Sequence, residues 1–247
     1  MSSGNAQHPR DDAEEGGEAS GNSRAMSYYA LTFSNLRPFD LGQVSILRVS
    51  GQDGQAPRRA IEALRQGRVV VYPTDTVYGL GCRIDDEGAV QRIFAIKRRP
   101  PTEAVPVLLA DAAQLDDYAR GVGPAARRLI ARFWPGALTL IFRRSDRVPR
   151  TVSGGGDTVA LRVPGHPLPR ALIRAIAMPI VGTSANSHGM PPPATAQQAV
   201  YDLGDRVDLV LDGGRAPLGR ESTVVDMTTD VPRLVREGAI PARDLGV

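Results

Sequence analysis

The sequence predicts an α/β fold: a single domain with a twisted mixed sheet, flanked by helices and carrying a basic concave face. Three observations support this prediction. Apolar runs typical of buried strands alternate with helix-like segments from residue 57 onward. The chain has 247 residues, of which 42% are hydrophobic, so it can bury a substantial core. No internal repeat or long linker divides it further.

Helix and strand signals follow one another along the whole domain. The first helix has a proline at its start and Gly67 just past its end. Asp85 or Asp86 can cap the second helix, and Pro100 and Pro101 stop it. Short apolar runs between the helices predict the strands. Helices are predicted over 57–66, 85–97, 112–118, 124–133, 168–177 and 194–203, and strands over 68–73, 105–109, 137–142, 158–163, 179–182, 208–211, 223–227 and 233–235.

The charge is divided unevenly along the chain. Residues 1–27 contain two arginines and five acidic residues, a net charge of −3, which leaves +6 on residues 28–247 for the overall +3. Because residues 1–27 have almost no apolar side chains, we predict a disordered acidic tail there and a folded domain over 28–247. The basic domain favours polyanionic ligands such as nucleotides or RNA, although a basic pI is also common in arginine-rich proteomes.

Composition also limits the compartment and the chemistry. No segment approaches the roughly 20 apolar residues of a membrane span, and the N-terminus lacks a secretory signal pattern, so we predict a cytoplasmic protein. The single cysteine, Cys82, can form neither an internal disulfide nor a cysteine cluster for zinc. With no histidine nearby in the sequence, it is predicted to be a packed side chain and not a nucleophile.

Lys97 is the only lysine among the 30 lysine and arginine residues. It begins the cationic cluster Lys97, Arg98, Arg99 at the end of the second predicted helix. A flexible ammonium group suits a triphosphate where a planar guanidinium does not. The alternative is a lysine on a solvated helix end, and the cluster alone does not decide between them.

Small hydroxyl side chains follow two predicted strands. Thr74, Thr76 and Tyr78 come after the strand over 68–73, and residues 183–187 follow the strand over 179–182. Ligands often bind at strand ends in α/β sheets, although threonines in a turn can also satisfy their own backbone. Arg162 lies near the end of another strand, where it could hold a carboxylate with two hydrogen bonds or could simply be a surface arginine.

Seven short segments occur in an order that resembles the YrdC family, the L-threonylcarbamoyladenylate synthases of tRNA t6A37 (threonylcarbamoyladenosine) biosynthesis. The resemblance covers residues 58 to about 240, and seven matches in order are highly specific. The segments are residues 73–80, 97–100, 134–139, 160–164, 184–186, 221–226 and 236–240.

The resemblance implies a nucleotidyltransferase that forms threonylcarbamoyl-AMP and pyrophosphate from L-threonine, bicarbonate or CO2, and ATP. It implies that Lys97 and Arg99 are catalytic and hold the phosphates of ATP. It also implies a magnesium ion that binds with ATP, without a dedicated set of metal-binding carboxylates. The implied ATP-binding residues are Lys97, Arg99, Thr158, Ser184, Asn186 and Arg236, and the implied threonine-binding residues are Thr74, Tyr78, Arg162 and Ser222, with Arg162 on the carboxylate.

The sequence departs from the family pattern at Ala110, where many relatives have a histidine. This difference makes the selectivity for threonine less secure than the reaction class. His166 and His188 lie beside glycines and are predicted to be solvated loop residues. Because the chain stops at Val247, we expect a single-domain form that passes its adenylate to a separate threonylcarbamoyl-transferase complex.

Two other functions remain open from the sequence. One is an RNA-binding module that uses the same basic face without turnover, which strongly salt-dependent binding would reveal. Aromatic residues make up only 5% of the chain, fewer than such modules usually place among their basic residues. The other is a carbamoyl-transfer domain of related fold that acts on a different acceptor.

Overall fold

The computed structural model describes Met1, residues 44–49 and residues 57–246. The predicted acidic tail over 1–27 lies outside the described residues, apart from Met1.

The described residues contain seven α-helices, and they follow the predicted order closely. The helix predicted over 124–133 has those bounds, whereas the one over 112–118 is a 3-10 turn at Ala112–Gln114 followed by a single α-helical turn. The helices are α1 (Arg58–Arg65), α2 (Glu87–Lys97), α3 (Leu115–Tyr118), α4 (Pro124–Phe133), α5 (Pro167–Ile176), α6 (Ala196–Leu203) and α7 (Ala242–Leu245).

Twelve strands occur in the described residues, several of them only two or three residues long. The strands are β1 (Ser45–Arg48), β2 (Val70–Tyr72), β3 (Gly79–Gly81), β4 (Val107–Leu108), β5 (Ala119–Arg120), β6 (Leu138–Arg144), β7 (Thr158–Arg162), β8 (Ile180–Val181), β9 (Thr183–Ser184), β10 (Leu209–Asp212), β11 (Thr223–Asp226) and β12 (Arg233–Arg236). The prediction of a mixed α/β fold is confirmed.

These strands form two mixed sheets, and the expectation of one sheet is wrong in this respect. The five-stranded sheet has the order β1-β10-β2-β3-β9, and the other has the order β12-β11-β6-β7-β4-β8 with β5 beside β6. In the first sheet β1, β10 and β2 are parallel, while β3 is antiparallel to both of its neighbours. Pairing between distant segments, which no local pattern encodes, decides how the strands divide.

The chain passes from one sheet to the other at Gly182. Val181 ends β8 in the larger sheet, and Thr183 begins β9 in the smaller one. A Cβ atom on Gly182 would lie 2.3 Å from Cγ of Leu108, so only glycine fits this crossing without a rearrangement. Tyr72 of β2 also joins the sheets, since its buried hydroxyl donates a 2.7 Å hydrogen bond to the carbonyl of Val181.

Helix α2 positions the predicted cationic cluster. Asp86 caps its N-terminus by accepting a 2.9 Å hydrogen bond from the amide of Ala89. Buried residues then recur along one face of the helix. All of them are apolar except the last, Lys97. Arg98 adopts a left-handed conformation, with φ of 53°, and ends the helix. The prediction that the helix ends at the cluster is therefore confirmed.

Apolar side chains from both sheets and from the helices form two buried clusters, of which the larger contains Cys82. Cys82 is fully buried within it, as predicted. None of the helices in the described residues has the length and hydrophobicity that a membrane crossing requires.

Candidate active site

Lys97 lies at the end of α2 with its ammonium group buried. Nζ donates 2.5 Å hydrogen bonds to the carbonyl oxygens of Ser184 and Asn186, and only 2% of the residue is exposed. Two of the three ammonium protons are therefore held by backbone oxygens. The alternative of a lysine on a solvated helix end is wrong.

Burial and three charged neighbours determine the protonation of Lys97. Its pKa falls to about 8, chiefly because burial disfavours the charged form and secondly because Arg99 lies nearby. The carboxylates of Asp202 and Glu221 act in the opposite direction. A phosphate group placed beside Nζ would favour the protonated form of Lys97, so anion binding at this site would be electrostatically favourable.

The loop over residues 184–190, called here the 184–190 loop, surrounds the lysine. Besides the carbonyls of Ser184 and Asn186, it contributes the amide of His188, which donates a 2.7 Å hydrogen bond to the carbonyl of Lys97. Nδ2 of Asn186 donates to the carbonyls of Ser187 and Met190. Its Oδ1 is buried and has no hydrogen-bond partner within the described part of the chain, so it can accept from a ligand.

Arg99 follows Lys97 by two residues and is held by the next loop. Its Nη2 donates a 2.8 Å hydrogen bond to the carbonyl of Ala104, and its Nε lies 3.3 Å from a carboxylate oxygen of Glu103 without a hydrogen bond forming. An ATP phosphate would compete with Glu103 for this guanidinium group.

Arg162, at the end of β7, is almost completely buried. Nε donates to the carbonyl of Gly136 at 2.8 Å, Nη1 to Oγ1 of Thr76 at 2.9 Å, and Nη2 to Oδ1 of Asp75 at 2.6 Å. Burial lowers the pKa of Arg162, and Asp75 opposes this effect. Within the described residues, three of its five N–H groups have partners, so two can still bind a carboxylate.

The turn after β2 brings Thr74 and Tyr78 into hydrogen bonds of the protein itself. Oγ1 of Thr74 donates a 2.6 Å hydrogen bond to the carbonyl of Val77 and lies 2.9 Å from Oγ1 of Thr76. The hydroxyl of Tyr78 donates to the carbonyl of Gly214 at 2.5 Å, and burial raises its pKa to about 12. Thr74 therefore reaches Arg162 through Thr76, whereas no such contact joins Tyr78 to Arg162 within the described residues.

A row of polar side chains continues from Arg162 across the larger sheet. The register of β6 and β7 pairs Leu140 with Leu161. Thr139 directly precedes Leu140, and its Oγ1 lies 2.8 Å from Oγ of Ser222. Arg236 of β12 donates from Nη2 to the carbonyl of Ser222 at 2.9 Å. Its Nη1 lies 3.1 Å from a carboxylate oxygen of Glu221, and its side chain is 45% exposed, so it can also reach a ligand.

The groups around Lys97 and around Arg162 influence each other electrostatically. Glu221, the partner of Arg236, raises the pKa of Lys97, and Arg236 lowers the pKa of Arg162. Hydrogen bonds link Lys97 to Ser184 and Asn186, Thr74 to Arg162 through Thr76, and Arg236 to Ser222. Thr158 is exposed at the start of β7, about 13 Å along the strand from Arg162. The ligand roles of all ten residues stay predictions.

The chain matches the model of the Sua5–YciO–YrdC family, described as "Telomere recombination", over residues 62–238. It belongs to this family.

Curated relatives of the Sua5–YciO–YrdC family carry the name threonylcarbamoyl-AMP synthase. One from Pyrococcus abyssi is 41% identical over 188 residues, which cover 76% of this chain and 55% of the relative. One from Bacillus subtilis is 43% identical over 183 residues, covering 74% and 53%. The chain spans little more than half the length of either relative. The names do not favour an RNA-binding module.

A solved structure of the same family shows a similar fold. The crystal structure of P. abyssi Sua5 complexed with L-threonine aligns with a TM-score of 0.76 and 38% identity. The alignment covers 82% of this chain and 59% of that one. The YrdC-like domain predicted from the sequence motifs is therefore confirmed.

The departure from the family pattern at Ala110 can be placed in the structure. Ala110 is buried after β4, where its amide donates a 2.8 Å hydrogen bond to Oε1 of Gln114. His166 is not a solvated loop residue as predicted. It is partly buried at the N-terminus of α5, Nδ1 accepts from the amide of Leu168 at 3.1 Å, and burial lowers its pKa, opposed by the nearby Asp75.

Sequence reasoning did not assign contacts to Thr76, Asp75 or Thr139. All three lie within the quoted family segments, directly beside or between residues that were assigned. Thr76 and Asp75 hold Arg162, and Thr139 contacts Ser222. The signal for them was their position at strand ends, but their partners lie 83 to 87 residues away in sequence.

The residues of the site fit phosphates better than a metal ion bound by protein alone. Among the described residues, no three His, Cys, Asp or Glu side chains come together as ligands. The groups around Lys97 are instead two backbone oxygens, the guanidinium of Arg99 and the separate carboxylates of Asp202 and Glu221.

Proposed function

We propose that this member of the family is a threonylcarbamoyl-AMP synthase. It would convert L-threonine, bicarbonate or CO2, and ATP into threonylcarbamoyl-AMP and pyrophosphate. The observation that carries this proposal is the buried ammonium of Lys97, fixed by two carbonyl oxygens at the end of a helix and next to Arg99. The names of the relatives and the threonine complex of P. abyssi Sua5 support the choice of substrates.

The reaction requires positioning and charge stabilisation more than covalent catalysis by the protein. The amine of threonine is first converted to a carbamate, whose oxygen attacks the α-phosphorus of ATP as the bond to pyrophosphate breaks. Negative charge develops on the phosphates, and preorganised cations at Lys97 and Arg99 would stabilise it. Oδ1 of Asn186 would accept a hydrogen bond from a hydroxyl or amino group of the nucleotide, because it is buried without a partner in the described residues.

The threonine pocket would lie beside Arg162. Its two remaining N–H groups can bind the amino acid carboxylate, while Asp75, Thr76 and the carbonyl of Gly136 hold the guanidinium plane in place. The hydroxyl pair of Thr139 and Ser222 lies next along the sheet and could bind the polar end of the same substrate.

Magnesium would enter with ATP, bound mainly through phosphate oxygens. It would neutralise part of the charge on the departing pyrophosphate. Because the protein supplies cations here, Lys97 and Arg99 would bind the phosphate oxygens that the metal leaves free. The product would pass to a separate threonylcarbamoyl-transferase complex, and a direct contact with tRNA is also proposed from the basic charge of the domain.

A substrate-dependence assay tests the proposed function. Purified protein with ATP, magnesium, bicarbonate and L-threonine should release pyrophosphate, and omission of threonine or of bicarbonate should stop this release. Lys97→Ala should abolish it while circular dichroism shows an intact fold. Arg128→Ala, which removes an exposed cation from α4, is the matched control and should keep wild-type activity. Pyrophosphate release that does not depend on threonine would refute the synthase.

A further inference from the structure

Asp202, in the last turn of α6, binds one residue of the 184–190 loop with both carboxylate oxygens. Oδ2 accepts a 2.7 Å hydrogen bond from the amide of Ser187, and Oδ1 accepts a 2.6 Å hydrogen bond from its hydroxyl. Because these two contacts come from different atoms of one residue, they fix both its position and its orientation. Charge-assisted hydrogen bonds of this kind are stronger than neutral ones.

Ser187 directly follows the residue that holds the lysine. The carbonyl of Asn186 accepts from Nζ of Lys97, and the amide of His188 donates to the backbone carbonyl of Lys97. The backbone on both sides of Ser187 therefore contacts Lys97. A displacement of Ser187 would move both of these contacts.

Arg206 connects the same helix end to α2. Its Nη1 donates a 2.6 Å hydrogen bond to the carbonyl of Ile96, and its Nε donates to the carbonyl of Leu203 at 2.9 Å. Nη2 donates to the carbonyl of Asp202. Because Ile96 immediately precedes Lys97, Arg206 connects the end of α6 to the last turn of α2.

Asp202 also acts on Lys97 through its charge. The charged groups that act on the ammonium are Arg99 at the end of α2, Asp202 on α6, and Glu221 before β11. The guanidinium of Arg206 lies 3.8 Å from Oδ1 of Asp202. Of the charged groups that act on the ammonium, Asp202 and Glu221 favour the protonated form of Lys97. Removing one carboxylate should make the lysine lose its proton more easily.

We propose that Asp202 is a positioning residue of the phosphate site, which holds the 184–190 loop so that the Lys97 ammonium faces the phosphates of ATP. This proposal rests on the proposed function, since it assumes that Lys97 binds ATP. Asp202 itself would touch neither substrate. Its effect would therefore appear in ATP binding and in the phosphate step, and not in the affinity for threonine.

The test compares Asp202→Asn with Asp205→Asn. Both substitutions remove one carboxylate in the same region, but Asp205 is exposed and has no side-chain partner in the described residues. For Asp202→Asn we expect the affinity for a non-hydrolysable ATP analogue with magnesium to fall about tenfold, as for a lost charge-assisted contact. The KM for threonine should stay within about twofold of wild type. Asp205→Asn should match wild type in both.

The pH dependence of analogue binding gives a second readout. Lys97 binds phosphate in its charged form and has a pKa of about 8, so the wild-type affinity should fall as the pH rises above that value. Loss of the Asp202 charge lowers this pKa further, so the fall should begin at a lower pH. A residue that only supported the fold would not move this profile.

Each outcome decides one proposal. Wild-type analogue affinity and an unchanged pH profile in Asp202→Asn would overturn the role of Asp202, as would equal losses for ATP and threonine. If Asp202→Asn does not fold, Ser187→Ala, which removes only the hydroxyl contact, must show the same selective loss in ATP binding. Because analogue binding needs no turnover, it is independent of the synthase assay, whose failure would overturn the proposed function instead.

Discussion

Lys97 shows how much a single residue type can indicate from the amino-acid sequence alone. Its uniqueness among the basic residues and its place at a helix end made a phosphate ligand one of two interpretations, and both features are visible in the sequence. Its burial could not be predicted, because the two carbonyl oxygens that accept from Nζ lie 87 and 89 residues further along the chain. Only the folded backbone brings them to the ammonium.

Arg162 gives the clearest prediction for a single side chain. Arg162→Ala should raise the threonine concentration needed for half-maximal rate by about tenfold or more, because it removes the paired N–H groups proposed for the carboxylate. The ATP requirement should change by no more than about twofold. Steady-state kinetics with each substrate varied in turn would measure both values.

Two further variants keep this test of Arg162 interpretable. Arg143→Ala removes an exposed arginine from the neighbouring strand β6 and should leave both requirements unchanged. Arg162→Lys keeps the charge near Asp75 but loses the planar donor pair, so it covers the case in which the alanine variant fails to fold. Equal changes in the threonine and ATP requirements would contradict the assignment to the carboxylate.

The turn around Thr74 shows the limit of sequence reasoning at this scale. A hydroxyl at a strand end can bind a ligand or its own backbone, and the structure shows that Thr74 bonds within its turn. Thr76, two residues later, contacts the guanidinium of Arg162 instead. The motif was identified correctly, but the partner of each hydroxyl depends on where β7 lies.

At the scale of elements, the sequence left open whether Asp85 or Asp86 caps α2. The structure shows a salt bridge of 2.6 Å between Asp85 and Arg83, while Asp86 accepts from the amide of Ala89. Asp85 is therefore paired with Arg83, and Asp86 accepts a hydrogen bond from an amide at the start of the helix that has no other partner in the described residues.

We expect Asp86→Ala to lower the free energy of unfolding by about 1 kcal/mol, because a helix N-terminal amide loses its partner. Asp85→Ala is the matched control and should lower it by less, since exposed ion pairs contribute little. Urea denaturation followed by circular dichroism would measure both. A larger loss for Asp85→Ala would show that Asp86 is not the cap that matters.

Short strands were the elements that the sequence could not predict. No strand was predicted over residues 79–81 or 183–184, yet they form β3 and β9, which pair with each other. Strands of two or three residues are too short for an alternating pattern, and glycine is uncommon in strands. They exist because a neighbouring strand satisfies their backbone groups. The longer apolar segments β6 and β7 were predicted within one or two residues.

At the scale of the whole molecule, the division of the strands into two sheets could not be predicted from local sequence patterns. The Tyr72→Phe substitution tests how much the hydrogen bond between the two sheets contributes to stability. Tyr72→Phe should lower the free energy of unfolding by about 1 to 3 kcal/mol, because a buried hydrogen bond to Val181 is lost. Tyr201→Phe, at a tyrosine that is 74% exposed, should have almost no effect. Thermal or urea denaturation would show the contrast, and equal stability of the two variants would contradict it.

The crossing at Gly182 has a consequence for the chemistry proposed above. The carbonyl oxygens around Lys97 lie just beyond the crossing, on the extension of the smaller sheet, whereas Arg162 belongs to the larger one. In the proposed reaction, the spacing between nucleotide and amino acid would depend on this crossing between the two sheets, where no side chain fits without a rearrangement. The relative position of the two sheets would therefore align the two reactants. A single added methyl group at residue 182 would disturb this alignment without touching either reactant.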